Sequence, residues 1–173
     1  MKPKQRVDLI VAIFLIILGI VLLIIPNYAT LDLKYLFIFI MCFYTIANLI
    51  QYILTKKSKD IEGLLTSLGS FLIALISYVL DFTNSLTLAL VLLSWIAVMS
   101  IAKLVKTDYY NDKRDRMYKL RIATLALFII IGIITCLNLH RDSTMQVIIL
   151  GYFFFIHGIL ELVDPITKSL LTR

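Results

Sequence analysis

Residues Leu9 to Ile25 read LIVAIFLIILGIVLLII, an apolar run interrupted by one glycine, Gly19, and closed by Pro26 and Asn27. A second uncharged run, Tyr35 to Thr55, carries the amide pair Asn48 and Gln51 near its end. Neither run alternates polar and apolar residues at period two, so neither reads as a strand of a membrane barrel. Coiled as α-helix, each is long enough to approach or exceed the ~30 Å of a hydrocarbon layer. The unit is a hairpin of two membrane helices.

The rest of the chain repeats it. Uncharged runs extend over Leu9 to Leu31, Tyr35 to Thr55, Gly63 to Leu80, Phe82 to Ala102, Ile122 to Leu139 and Ser143 to Leu160. With 61% hydrophobic and 16% charged residues and a mean hydropathy of +0.96, there is too little polar surface to cover a water-soluble core. The expected fold is an all-α membrane protein of six transmembrane helices. They form three repeated helical hairpins, 7–55, 61–106 and 118–164, within a single transmembrane domain, 1–173.

Basic residues set the expected orientation. Fifteen of the seventeen lysines and arginines fall on the side of the N-terminus, the second and fourth loops and the C-terminal tail; only Lys34 and Arg141 fall on the other. By the positive-inside rule both termini are cytoplasmic. The excess accounts for most of the net charge of +6 without a nucleic-acid partner. A cleaved signal peptide is the alternative reading of the first run, but no A-x-A-like site follows it. Cleavage would also leave one hairpin without its partner. Cys42 and Cys136 stand alone inside spans two and five and read as small packing residues.

Aligned on their cytoplasmic ends, the even spans give Asn48-Leu-Ile-Gln51, Ser100-Ile-Ala-Lys103 and Gly158-Ile-Leu-Glu161. With His157, these place Asn48, Gln51, Ser100, Lys103, His157 and Glu161 in one candidate polar layer. His157 and Glu161, four residues apart, share a helix face. Ionisable groups at such depth are costly, and a Lys103 to Glu161 pair would offset the cost if spans four and six adjoin. A neutral, hydrogen-bonded His157 is the plain reading; a pH-responsive or proton-relay role is the sharper one. Asn48 and Gln51 read as interhelical hydrogen-bonding groups, and Trp95, mid-span, as a space filler.

Small residues mark the expected helix contacts. On the third span Gly63, Ser67, Ser70, Ala74 and Ser77 form one stripe, which in lipid lets backbones approach; a water-lined serine track is the alternative. Gly151 and Gly158 form a second packing face on span six, while Gly19 and Gly132 occupy matching places in spans one and five. Asp32 and Asp142 precede spans two and six as helix-capping carboxylates, Ser143 and Gln146 have capping-box spacing, and Asp81 follows span three.

The segment 107–121 reads as a basic cytoplasmic loop. From Lys106 to Arg121 it carries six basic and three acidic residues with Tyr109, Tyr110 and Tyr118 among them. Asp112 with Arg116 and Asp115 with Lys119 have helical i, i+4 spacing. Anionic lipid headgroups are the expected partner, and nothing supplies the stacking platform a nucleic acid would need. The familiar hydrolase, metalloprotease and nucleotide-binding signatures are missing. With two histidines in all, no His-rich metal site is expected, and no cofactor.

Gly19 within Leu18-Gly19-Ile20-Val21-Leu22-Leu23-Ile24-Ile25-Pro26, with His157-Gly158-Ile159-Leu160-Glu161 in an even helix, resembles the HdeD-like family of small bacterial membrane proteins. The middle repeat departs from the pattern, with Ser77 and Ser100 where glycine is expected. The resemblance implies a multi-pass protein of the bacterial plasma (inner) membrane, associated with acid or envelope stress, and carries over no catalytic residues. The expected function is therefore non-enzymatic, exercised by helix packing with a second copy or another membrane protein. A small-solute or proton-linked transporter is the alternative, since repeats are common in transporters.

Overall fold

The structure, a computed structural model, describes residues 3–24, 32–55, 62–80, 85–112, 117–139 and 143–171. They form six α-helices: α1 (Pro3–Ile24), α2 (Leu33–Thr55), α3 (Glu62–Val79), α4 (Ser85–Asp112), α5 (Tyr118–Asn138) and α6 (Ser143–Leu171). All six are long and apolar enough to cross a membrane, and the described residues contain no strand. Asp32 caps α2, its Oδ1 accepting the Lys34 N–H at 2.9 Å. Gln146 Nε2 reaches back to the Leu139 carbonyl at 2.9 Å and ties the end of α5 to the start of α6. Asp81, Asp142 and the side chain of Ser143 lie outside the described residues.

Each helix packs on its sequence neighbours, and α1 packs on α6, which closes the six into a ring. The closure is the tightest contact of all, and its glycines explain why. A Cβ on Gly19 would lie 2.5 Å from the Phe155 backbone nitrogen, and one on Gly158 would lie 2.9 Å from both the Ala12 carbonyl oxygen and the Ile16 nitrogen. Gly151 sits 3.2 Å by the same measure from the Gly19 carbonyl oxygen. Backbone thus lies against backbone, where dispersion and lipid release drive association in the absence of a hydrophobic term.

The small-residue stripe of α3 packs against α2. A Cβ on Gly63 would come within 2.8 Å of the Asn48 carbonyl oxygen, and Ser67 Oγ donates to the Thr45 carbonyl at 3.0 Å. Ser70, Ala74 and Ser77 continue the buried face, and Ser77 Oγ turns back onto the Ile73 carbonyl. The stripe is a helix contact, not a serine-lined track. Gly69, which it passes over, abuts Val98 of α4, and Gly132 of α5 faces Ile96 of α4.

The even helices supply most of the buried core, including Phe37, Tyr44, Leu92, Trp95, Phe153 and Phe154. Outward side chains such as Ile17, Ile46, Leu72 and Ile130 are apolar and exposed, as a lipid-facing surface requires. Cys42 is among the exposed residues, so it faces outward instead of packing inside as expected, while Cys136 packs against the core.

Helix α4 continues as far as Asp112 and α5 begins at Tyr118, so the segment read as a basic loop is in large part helical. The side chains of residues 106–116 lie outside the described residues, and with them both charge pairs, Asp112 to Arg116 and Asp115 to Lys119. Of the basic residues at its far end, Lys119 is exposed but Arg121 is buried. Arg121 therefore does not face headgroups as expected.

Candidate functional site

Helices α2, α4 and α6 are not among the closely packed pairs with one another. They meet across the interior by side chains alone, near the end of the bundle where α1 and α3 begin and α2 ends. Helix α6 presents His157 and, one turn on, Glu161. From α2, the Tyr44 hydroxyl lies 2.8 Å from His157 Nε2. From α4, Lys103 Nζ donates to Glu161 Oε1 at 2.6 Å, the pair that alignment of the even spans suggested. The same Glu161 oxygen stands 3.6 Å from His157 Nε2, beyond hydrogen-bonding distance. Tyr44, His157, Glu161 and Lys103 thus form a chain of polar groups across three helices.

Aromatic rings enclose the His157 side of this chain. Trp95 is fully buried and meets the imidazole edge-on, with ring centroids 5.6 Å apart. Phe128 of α5 lies 4.6 Å from it, and Phe153 stacks beneath at 5.9 Å. Lys103 Nζ stands 5.9 Å over the Phe128 ring, within range of a cation–π attraction. Trp95 fills space between helices, as its mid-span place suggested, but it does so at the hub of a tie between alternate helices. His157 Nδ1 and Trp95 Nε1 are buried without a hydrogen-bond partner among the described residues.

The Glu161 side opens on a small polar cavity of about 20 Å³. Tyr44, Asn48 and Gln51 of α2, Lys103 and Glu161 line it together with Asp8 of α1 and Glu62 of α3. It has room for about one water molecule. Asn48 also donates to the Tyr44 carbonyl on its own helix at 2.8 Å. Ser100, buried nearby, bonds back to Ile96 at 2.7 Å and does not line the cavity.

A second ion pair flanks the first. Arg121 Nε donates to Asp164 Oδ1 at 3.0 Å, joining the start of α5 to α6. Between the two pairs lies a cleft of about 40 Å³ lined by Lys103, Arg121, Thr124, Glu161 and Asp164. One turn beyond Glu161, Pro165 lies inside α6 and has no N–H to give to the Glu161 carbonyl.

Among the candidate residues, the structure brings together His157, Glu161, Lys103, Asn48 and Gln51, and leaves Ser100 apart. Sequence reasoning missed Tyr44, Asp8, Glu62, Arg121 and Asp164. Two of them were signalled by spacing: Tyr44, Asn48 and Gln51 fall at steps of four and three, as do His157, Glu161 and Asp164. Among the described residues no group of His, Cys, Asp and Glu is placed to hold a metal ion. The layer offers hydrogen bonding and proton exchange.

No curated protein and no solved structure matches the chain. The model of a short repeat of unknown function, DUF308, matches residues 10–80 and 126–170. The matched stretches hold Tyr44, His157 and Glu161 with the glycines of both tight seams, while Trp95 and Lys103 of α4 fall between them. Because the match covers well over half of its length, the chain belongs to the DUF308 short-repeat family of membrane-protein-like helical bundles.

Proposed function

We propose that this protein is a non-enzymatic, multi-pass protein of the bacterial inner membrane, of the HdeD-like kind within its family, serving in acid or envelope stress. Its termini face the cytoplasm, and it works through packing of its helices, with itself or with a membrane partner. The observation that carries the reading is the layer joining Tyr44, His157, Glu161 and Lys103 across alternate helices. The layer holds the bundle together at one end and leaves about 20 Å³ beside it. That volume disfavours passage of an organic solute through this end, so a proton suits the alternative, transport reading better than a bulky cargo does.

Acid survival tests the proposal, in a strain lacking the protein and complemented with wild type, His157→Ala or Glu161→Ala. Rescue by wild type and failure of both variants at equal membrane levels is expected. Equal survival of the deletion and wild-type strains under acid and envelope stress removes the stress role.

A further inference from the structure

We propose that His157 is a proton-binding site, and that the proton it takes moves the Glu161 carboxylate from Lys103 to the imidazole. The inference rests on the layer described above as the working part of the molecule.

Neutral imidazole has one ring N–H and one acceptor nitrogen. With the Tyr44 hydroxyl assigned as donor to Nε2 at 2.8 Å, the ring proton sits on Nδ1, among the rings of Trp95, Phe128 and Phe153. A proton added at Nε2 makes both nitrogens donors, and Tyr44 can then no longer donate to the ring. The Glu161 carboxylate already stands 3.6 Å from Nε2. A rotation within the Glu161 side chain closes that gap and weakens its 2.6 Å bond to Lys103. One proton therefore alters two ties at once, α2 to α6 and α4 to α6.

The proton has a route. Tyr44 and Glu161 both line the cavity of about 20 Å³, and the Tyr44 hydroxyl also touches His157. A hydronium in the cavity gives its proton to Tyr44 Oη as the hydroxyl proton passes to Nε2. The hydronium gives up one O–H bond and is left as water, Tyr44 Oη exchanges one O–H bond for another, an N–H bond forms at Nε2, and the positive charge ends on the imidazolium. The groups facing His157 are Tyr44 from α2, Glu161 on its own helix and, through Glu161, Lys103 from α4. Helix α5 presents Phe128, with Arg121 paired to Asp164 farther out. Asp8 of α1 and Glu62 of α3 face the shared cavity.

The chain contains a single tryptophan, and it lies edge-on to this imidazole. A charged imidazolium in contact with indole quenches its emission. In the purified full chain in lipid nanodiscs, acidification is expected to produce one reversible quenching step that His157→Gln abolishes. Spin labels at the exposed Leu104 and Ile166, in a Cys42→Ala, Cys136→Ala background, are expected to report a changed α4 to α6 distance across that step. Glu161→Gln is expected to keep the quenching and lose the distance change.

Emission that stays flat until helicity is lost, or a step that survives in His157→Gln, overturns the proposal. Quenching without a distance change overturns the movement of Glu161. Should His157→Gln not fold, the imidazole resonance of isotope-labelled His140→Gln protein, which keeps only His157, reads proton uptake directly. A quenching step in a protein that plays no part in acid survival retains this site and removes the stress role; the opposite pattern does the reverse.

Discussion

Tyr44 and His157, 113 residues apart in the chain, share a hydrogen bond of 2.8 Å between helices that are not close neighbours in the ring. The bond crosses the interior, beside a tryptophan that packs against both rings. Alternate helices are thus held by side chains long enough to span the middle, while adjacent helices are held by residues small enough to let backbones touch. The two kinds of contact fail differently when altered.

Removing the Tyr44 hydroxyl takes away the only described partner of His157 Nε2 at hydrogen-bonding distance. Tyr44→Phe is expected to lower stability by about 0.5–2 kcal/mol, because hydrogen bonds between membrane helices are modest while an orphaned polar group is costly. The check is a double-mutant cycle with His157→Leu, read by thermal unfolding in detergent. If the bond matters as drawn, the double variant loses less than the sum of the single changes.

Lys103 and Glu161 are each roughly a fifth exposed, 24% and 20% by side chain, so their pair is neither fully screened nor fully buried. Glu161→Ala takes the 2.6 Å partner from Lys103 and is expected to cost about 1–3 kcal/mol, between the values for surface and buried pairs. Exchanging the charges, Lys103→Glu with Glu161→Lys, is expected to recover most of it. Urea or thermal midpoints in detergent decide. A swapped protein no better than Glu161→Ala shows that the pair contributes by shape and not by charge.

Much of this was legible beforehand, and the reasons for the remainder are physical. Helix number follows from run length, because a bilayer makes a span of apolar residues its own signal. Glycine and serine stripes identify which faces pack, since only small residues permit close approach. Partner identity is another matter: nothing in the spacing of Gly19 or Gly158 says that α1 meets α6, because ring closure depends on the whole bundle. Lys103 and Glu161 could be paired from the repeat alone, as equivalent positions of opposite charge. Arg121 could not. It stands at the edge of a basic segment where arginines usually reach headgroups, and its pairing with Asp164, three residues past Glu161 on the same face, is a contact across helices that the spacing of the basic segment does not announce.

Trp95 is fully buried at the centre of five aromatic or imidazole partners, Tyr44, Phe128, Phe153, Phe154 and His157. Trp95→Ala is expected to cost about 3–5 kcal/mol, as large-to-small changes in a packed core do. Trp95→Phe keeps most of the volume and is expected to lose less than half as much. Thermal midpoints of the two variants test the ordering, and equal losses would mean that side-chain volume is not what Trp95 contributes.

The seam between α1 and α6 gives the sharpest contrast, because its glycines face backbone. At Gly19 an added methyl meets the Phe155 nitrogen at 2.5 Å, and at Gly158 it meets the Ala12 oxygen and the Ile16 nitrogen at 2.9 Å. Backbone atoms of a helix cannot step aside, so the two helices must separate along the seam. Gly19→Ala and Gly158→Ala are each expected to cost about 1–3 kcal/mol or more from overpacking. At Gly132 the three nearest atoms all belong to the Ile96 side chain, Cδ1 at 2.6 Å and Cγ1 and Cγ2 at 3.1 Å, and a side chain can shift where helix backbone cannot. Gly132→Ala is therefore expected to cost less than either, its crowding partly offset by about 1 kcal/mol of helix propensity gained over glycine. Thermal stability of the three variants at matched detergent concentration measures the difference. If Gly132→Ala proves as damaging as Gly158→Ala, closeness of backbones is not what sets α1 against α6.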